Sequence, residues 1–184
     1  ISDSSFFNCS SLNSINLPDS LISIGTNSFC SCTNLFSIII PEQVTEINNS
    51  VFSRCINLTT VTFLGNINSI QSYGFFNCQS LVSISNLVNT SLIDTSAFDS
   101  CFNLSFINIS GDSLLIENSA FICCYNLTSV IIDANVSISR NAFKSCINLN
   151  SFLILNCLYS IGTYAFYDCS SLTSFPYLEN TTII

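Results

Sequence analysis

The chain has 184 residues, 48% hydrophobic and only 8% charged, with eleven acids against three bases and a net charge of −8. Ordinary soluble domains are about 25% charged, so the polar surface must be built from Ser, Thr and Asn. The three bases, Arg54, Arg140 and Lys144, are too few to neutralise a phosphate backbone, which argues against a nucleic-acid partner.

His is absent, which removes Ser-His-Asp and Cys-His nucleophilic sites and the usual general base. The five Gly are dispersed and form no phosphate loop. No apolar run approaches the ~18–20 residues that span a bilayer, so no transmembrane segment is expected in this sequence. No signal peptide is visible. The acids are scattered singly and read as solvated surface. Composition therefore points away from catalysis: no catalytic residue, cofactor or metal is expected.

From the start of the chain a pattern repeats. Phe6, Cys9 and Leu12 form the first copy of Phe-x-x-Cys-x-x-Leu. The Phe recurs at Phe29, Phe52, Phe75, Phe98, Phe121, Phe143 and Phe166, every step being 23 residues except the 22 between Phe121 and Phe143. Three residues after each Leu stands an apolar residue (Ile15, Ile38, Val61, Ile84, Ile107, Val130, Phe152, Phe175). Two further on stand Leu17, Ile40, Phe63, Ile109, Ile132 and Ile154, with Asn86 as the polar break in that column. An Ile precedes each Phe by five residues, from Ile1 to Ile161, and later copies place Gly74, Ala97, Ala120, Ala142 or Ala165 just before the Phe.

Ile184 falls in the column of Ile1, and no polar capping repeat is present. Residues 1–184 are therefore expected to be eight tandem repeats of ~23 residues, an uncapped fragment of a longer protein.

Each copy predicts a short strand at Leu-x-x-Ile-x-Leu, where the last three residues alternate as a half-buried strand does. Equivalent strands stack ~4.8 Å apart into a parallel sheet. The expected fold is a repeat solenoid with this sheet on the concave face and short strands, turns or 3-10 pieces on the other side. Pro41 to Ile47 suits a turn and a short extended piece, and Ala165 to Cys169 suits a single helical or 3-10 turn. The 22-residue step places its missing residue in the turn between Ile132 and Ile138, since loops tolerate deletion and strand register does not.

These columns resemble the BspA-like, Treponema-type leucine-rich repeat. The nearest copies are Leu12 to Cys32, with Leu17-Pro18, Ile24-Gly25 and Phe29, and Ile161-Gly162-Thr163-Tyr164-Ala165-Phe166. The sequence departs from the pattern in keeping Pro only at Pro18 and Pro41, and Gly after Ile only at Gly25 and Gly162. The resemblance covers the whole chain. It implies a leucine-rich repeat solenoid in a cell-surface or secreted protein that adheres to a host cell-surface or extracellular-matrix protein. A structural spacer and an intracellular interaction scaffold, the latter cytoplasmic, are the other readings.

Eight of the eleven Cys form a ladder with the repeat; Cys30, Cys123 and Cys157 stand outside it. The ladder thiols read as small buried hydrophobes with a weak S–H donor. Disulfides between rungs would strain the stack, because ~4.8 Å exceeds the ~3.8 Å that bonded Cβ atoms prefer. Evenly spaced thiols in a row do not make a tetrahedral metal site.

Residues one, two and four places after each Leu should point outward. Most are Ser, Thr or Asn. Against them Phe36, Ile39, Phe106, Ile131 and Leu153 are apolar and form the candidate ligand face for a protein partner. Among the Asn-x-Ser/Thr sequons, Asn48, Asn89, Asn135 and Asn180 lie in expected loops and are the candidate glycosylation sites. Those at Asn57, Asn103 and Asn126 share a repeat column, where a side-chain bond to the turn backbone is the simpler role.

Overall fold

A computed structural model describes residues 1–175. Those residues wind as a solenoid of parallel strands and bonded turns, with no helix among them. In chain order the strands are β1 (Ser37–Ile40), β2 (Glu46–Ile47), β3 (Thr60–Phe63), β4 (Ser69–Ile70), β5 (Ser83–Ile84), β6 (Leu87–Val88), β7 (Leu92–Ile93), β8 (Phe106–Ile116), β9 (Ser129–Ile138), β10 (Ser151–Ile154) and β11 (Leu158–Ile161). One sheet runs β1-β3-β5; the other runs β10-β9-β8-β7-β4-β2, with β11 also on β9 and β6 also on β8.

The predicted strands form where the alternation placed them. β1 and β3 both alternate exposed and buried residues, so Ile38, Ile40, Val61 and Phe63 enter the core while Ser37 and Thr60 face out. A second ladder of short strands follows the turn, with Glu46–Ile47 on Ser69–Ile70 and Ser69–Ile70 on Leu92–Ile93. The repeated Ile column thus has its own parallel pairing and is more than a connecting turn.

The front ladder breaks once, at Asn86. This residue is not a polar member of the core column. It adopts a left-handed φ of 62° and its Nδ2 donates to the Phe63 carbonyl at 2.7 Å. The chain bulges by one residue, and Leu87 takes the buried place and pairs with Ile109.

The short repeat also differs from expectation. The register between β8 and β9 stays in step through Ser110↔Asp133 and shifts before Ser113↔Asn135. The missing residue does fall between Ile132 and Ile138, but not in a loop. β8 carries an irregularity at Gly111 and Asp112, whereas β9 runs on as one strand with Ala134 and Val136 inside. The deletion removed the bulge and left the strand straight.

The Phe segment is a run of hydrogen-bonded turns rather than a helical or 3-10 turn. In one coil Ser28 N–H donates to Gly25, Cys30 to Asn27 and Cys32 to Phe29, while the alternate donors Asn27, Phe29 and Ser31 reach Asn49, Val51 and Ser53 of the next coil. Left-handed residues recur two before and two after each Phe, such as Asn27 and Ser31 or Tyr73 and Asn77, and none of them is Gly. That conformation resets the chain direction at each bend, which a helix would not allow.

Inside the arc the rings of Phe6, Phe29, Phe52, Phe75, Phe98, Phe121, Phe143 and Phe166 stack in sequence with centroids 5.0–5.6 Å apart. The six from Phe29 to Phe143 are fully buried, each contributing about 2–3 kcal/mol by burial alone. Beside them each ladder thiol donates to the carbonyl of the Phe one coil earlier: Cys55 to Phe29, Cys78 to Phe52, Cys101 to Phe75, at 3.0–3.1 Å. The same bond recurs from Cys32 through Cys169. No described Cys is in a disulfide. The ladder is therefore a column of donors that ties each coil to its predecessor.

Candidate functional site

The front strands present their outward residues in register. Phe36 and Ile39 are 60% and 58% exposed, Phe106 and Leu153 40% and 43%. Ile131 is half-buried. Pairing places Leu153 directly beside Ile131, and Ile131 beside Asn108. Phe106 lies opposite Ser129 and shares the outward side of β8 with Asn108, so it meets Ile131 on the diagonal.

The five candidates are thus not one patch. Phe106, Ile131 and Leu153 form a contiguous group on β8, β9 and β10. Phe36 and Ile39 stand apart on and beside β1, separated from that group by the polar outward residues Thr60 and Thr62 of β3 and Ser83 of β5.

The Ile39 end of the face has a groove of its own. Ile15, Leu17, Ile39, Pro41 and Leu64 line a shallow depression of about 370 Å³, with Asp19 at its rim. Leu64 is exposed and follows the inward end of its strand, as Leu155 does after Ile154. Neither was among the candidates drawn from sequence, nor was exposed Val82. Leu64 and Leu155 each adjoin a core column and so read as core, and only the place where the strand ends shows that they face out, whereas Val82 stands in an outward column one place after Leu81.

The polar part of the face is largely occupied by the fold itself. Thr59, Ser105 and Thr128 hydroxyls donate to the carbonyls of Phe36, Val82 and Ser105 in the preceding coil at 3.0–3.2 Å. The hydroxyl column therefore fixes coil spacing, and the apolar residues carry what remains for a ligand.

The sequon residues separate in the structure. Asn89 is exposed in the turn after β6, at a left-handed φ of 60°. Asn48 is half-buried and its Nδ2 donates to the Ile24 carbonyl at 2.8 Å. Asn135 lies within β9 rather than in a loop, its amide bonded to the Asp112 carbonyl and the Cys157 N–H. Asn180 lies outside the described residues. Asn126 Nδ2 reaches Asn103 Oδ1, and Asn148 Nδ2 the Tyr125 carbonyl, so that column bonds to the neighbouring coil instead of its own turn.

Burial pushes the inner ladder thiols up: Cys32 to about 11, and Cys78, Cys124 and Cys146 well above the usual range. They stay protonated at neutral pH and are poor nucleophiles. Among the described residues no cluster of three or more His, Cys, Asp or Glu is placed to hold a metal ion, and no helix is long and apolar enough to cross a membrane.

Two overlapping stretches, residues 1–124 and 86–184, match the family model described as BspA type leucine rich repeat region, with six copies. A leucine-rich repeat protein of T. pallidum has a similar fold, with a TM-score of 0.76 at 24% identity, over 86% of this chain and 77% of that one. A leucine rich cell surface protein of Faecalibacterium prausnitzii gives a TM-score of 0.69 at 26% identity, over 87% of this chain. A leucine-rich repeat protein of Bacteroides ovatus gives 0.57 at 27% identity, over 95% of this chain. The chain spans 42% and 57% of the lengths of the latter two. No curated protein matches it.

Proposed function

The chain belongs to the BspA-type leucine-rich repeat family, and from that premise we propose that it is a non-enzymatic protein-binding module of a cell-surface or secreted protein, adhering to a host cell-surface or matrix protein through its front sheet. The observation that carries this reading is the group Phe106, Ile131 and Leu153. Leu153 and Ile131 pair directly and Phe106 lies one diagonal step away, on three hydrogen-bonded strands whose other outward residues on this face are Ser and Asn. Apolar anchors inside a polar rim are how protein interfaces concentrate affinity. The F. prausnitzii neighbour, described as a cell surface protein, supports the location.

The test is binding of the purified repeats to immobilised extracellular-matrix proteins and to intact host cells. Phe106→Ser with Leu153→Ser removes the larger group; Phe36→Ser with Ile39→Thr removes the smaller one. Both pairs are exposed, so stability should stay within about 0.5 kcal/mol per site. The expected result is saturable binding that the Phe106/Leu153 pair weakens at least about tenfold, as loss of an anchor costs over 1 kcal/mol. Absence of saturable binding, or binding that neither pair alters, would overturn the assignment.

A further inference from the structure

The turn arc that carries the Phe column has a second feature. Tyr164 and Tyr167 stand 5.7 Å apart at 85°, both more than half exposed. Tyr73 and Phe76 repeat the same arrangement at 5.7 Å and 83°. In each dyad the leading Tyr has a left-handed φ of 60°, a conformation that is strained for a bulky side chain. The same column elsewhere holds Ser or Asn, at Asn27, Ser96 and Asn141, so the bend itself does not need Tyr.

The cations gather at the same two places. Lys144 Nζ lies 5.3 Å from the Tyr167 ring centroid, and Lys144, Tyr164 and Tyr167 line an open pocket of about 210 Å³. Arg140 packs its backbone on Gly162, two residues before Tyr164. Arg54 lies in the coil before Phe76, and its backbone N–H donates to the Phe76 carbonyl at 2.7 Å. The chain has only these three bases, and each lies in the coil that precedes an aromatic dyad. Asp168 follows Tyr167, and Asp99 lies in the coil after Phe76, where its carbonyl accepts from the Asn77 N–H.

We propose that the Lys144–Tyr164–Tyr167 pocket binds an acidic pyranose unit of a polysaccharide, and that Arg54, Tyr73 and Phe76 form a weaker copy of that site. A pyranose ring offers an apolar C–H face to a phenol ring and a carboxylate to the ammonium. The phenol hydroxyls, without a hydrogen bond among the described residues, are free for its hydroxyl groups. Lys144 over Tyr167 disfavours a cationic ligand. A polyproline peptide needs an aromatic groove several residues long, whereas the pocket at Lys144 is lined by three residues only. Four stacking steps separate the dyads, roughly 20 Å at the spacing of adjacent strands, so one long glycan reaches both.

The test is calorimetric titration of the full chain with a hexuronate oligosaccharide, a neutral glucan oligosaccharide of equal length and a proline-rich peptide. The hexuronate should bind, more weakly as salt rises, and at least tenfold tighter than the glucan. Lys144→Gln should lower its affinity tenfold or more, and Tyr164→Asn with Tyr167→Ser should abolish it. Tyr73→Asn should weaken a long chain but not a short one. Thermal melting of the Asn variants should not fall, because Asn already fills that left-handed column. No hexuronate binding at millimolar concentration, binding indifferent to these variants, or peptide binding that the same variants remove would overturn the proposal.

Discussion

Ser28 shows how little tolerance a stacked coil has for one atom. Its side chain is fully buried and its Oγ has no hydrogen-bond partner among the described residues. The same place holds Ala97, Ala120, Ala142 and Ala165 in later coils, all buried. Ser28→Ala should therefore stabilise the protein by about 1 kcal/mol, the penalty of an unpaired buried hydroxyl, read as a higher denaturant midpoint at unchanged slope. The small residue before the Phe of the later coils was legible in the sequence, and so was the Phe itself. The left-handed residues two places to either side were not. Glycine is the usual mark of that conformation, and here Ser, Asn, Arg, Tyr, Cys and Asp take it, held by the bonds from alternate N–H groups to the next coil.

At the level of one strand and its turn, Asn86 carries the irregularity. It combines a left-handed backbone with a side-chain bond to the Phe63 carbonyl. Asn86→Ala loses both and should cost about 2 kcal/mol, roughly 1 for the conformation and 1 for the bond. Asn86→Gly keeps the conformation and should cost no more than about 1 kcal/mol. Equal losses in equilibrium unfolding would show that the backbone conformation carries no weight. Counting columns from the sequence marked Asn86 as a break but read it as a polar residue in the core, because a fixed period cannot show that the chain slips one residue to bring Leu87 inward. The 22-residue step is similar: its position could be read, but a strand without a bulge and a shortened loop have the same length. The front-face candidates were legible as outward columns, yet their division into two groups depends on which strands neighbour one another.

Across the whole molecule, coils cohere through columns of identical groups, so a property of one rung is multiplied along the stack. Burial raises the thiols of Cys55, Cys78, Cys101, Cys124 and Cys146 above their ordinary value of 9.0. A thiol raised in the folded state contributes stability that is full below the unfolded value and is lost as pH rises toward the folded one. Between these limits the unfolded chain has released the proton and the folded chain still holds it. Five such groups give a slope of about 7 kcal/mol per pH unit. Melting should be nearly flat from pH 6 to 8 and fall steeply above about pH 9; a flat profile to pH 11 would contradict this burial. The most direct test of the shared spine is thiol labelling of the native protein at neutral pH, mapped by peptide mass spectrometry. The stack predicts prompt labelling of exposed Cys9 and slower labelling of half-buried Cys123 and Cys157. Cys55, Cys78, Cys101, Cys124 and Cys146 should label only after denaturant is added. Prompt native labelling of those five, or their recovery as disulfide-linked peptides, would show that the rings and thiols do not form one closed column.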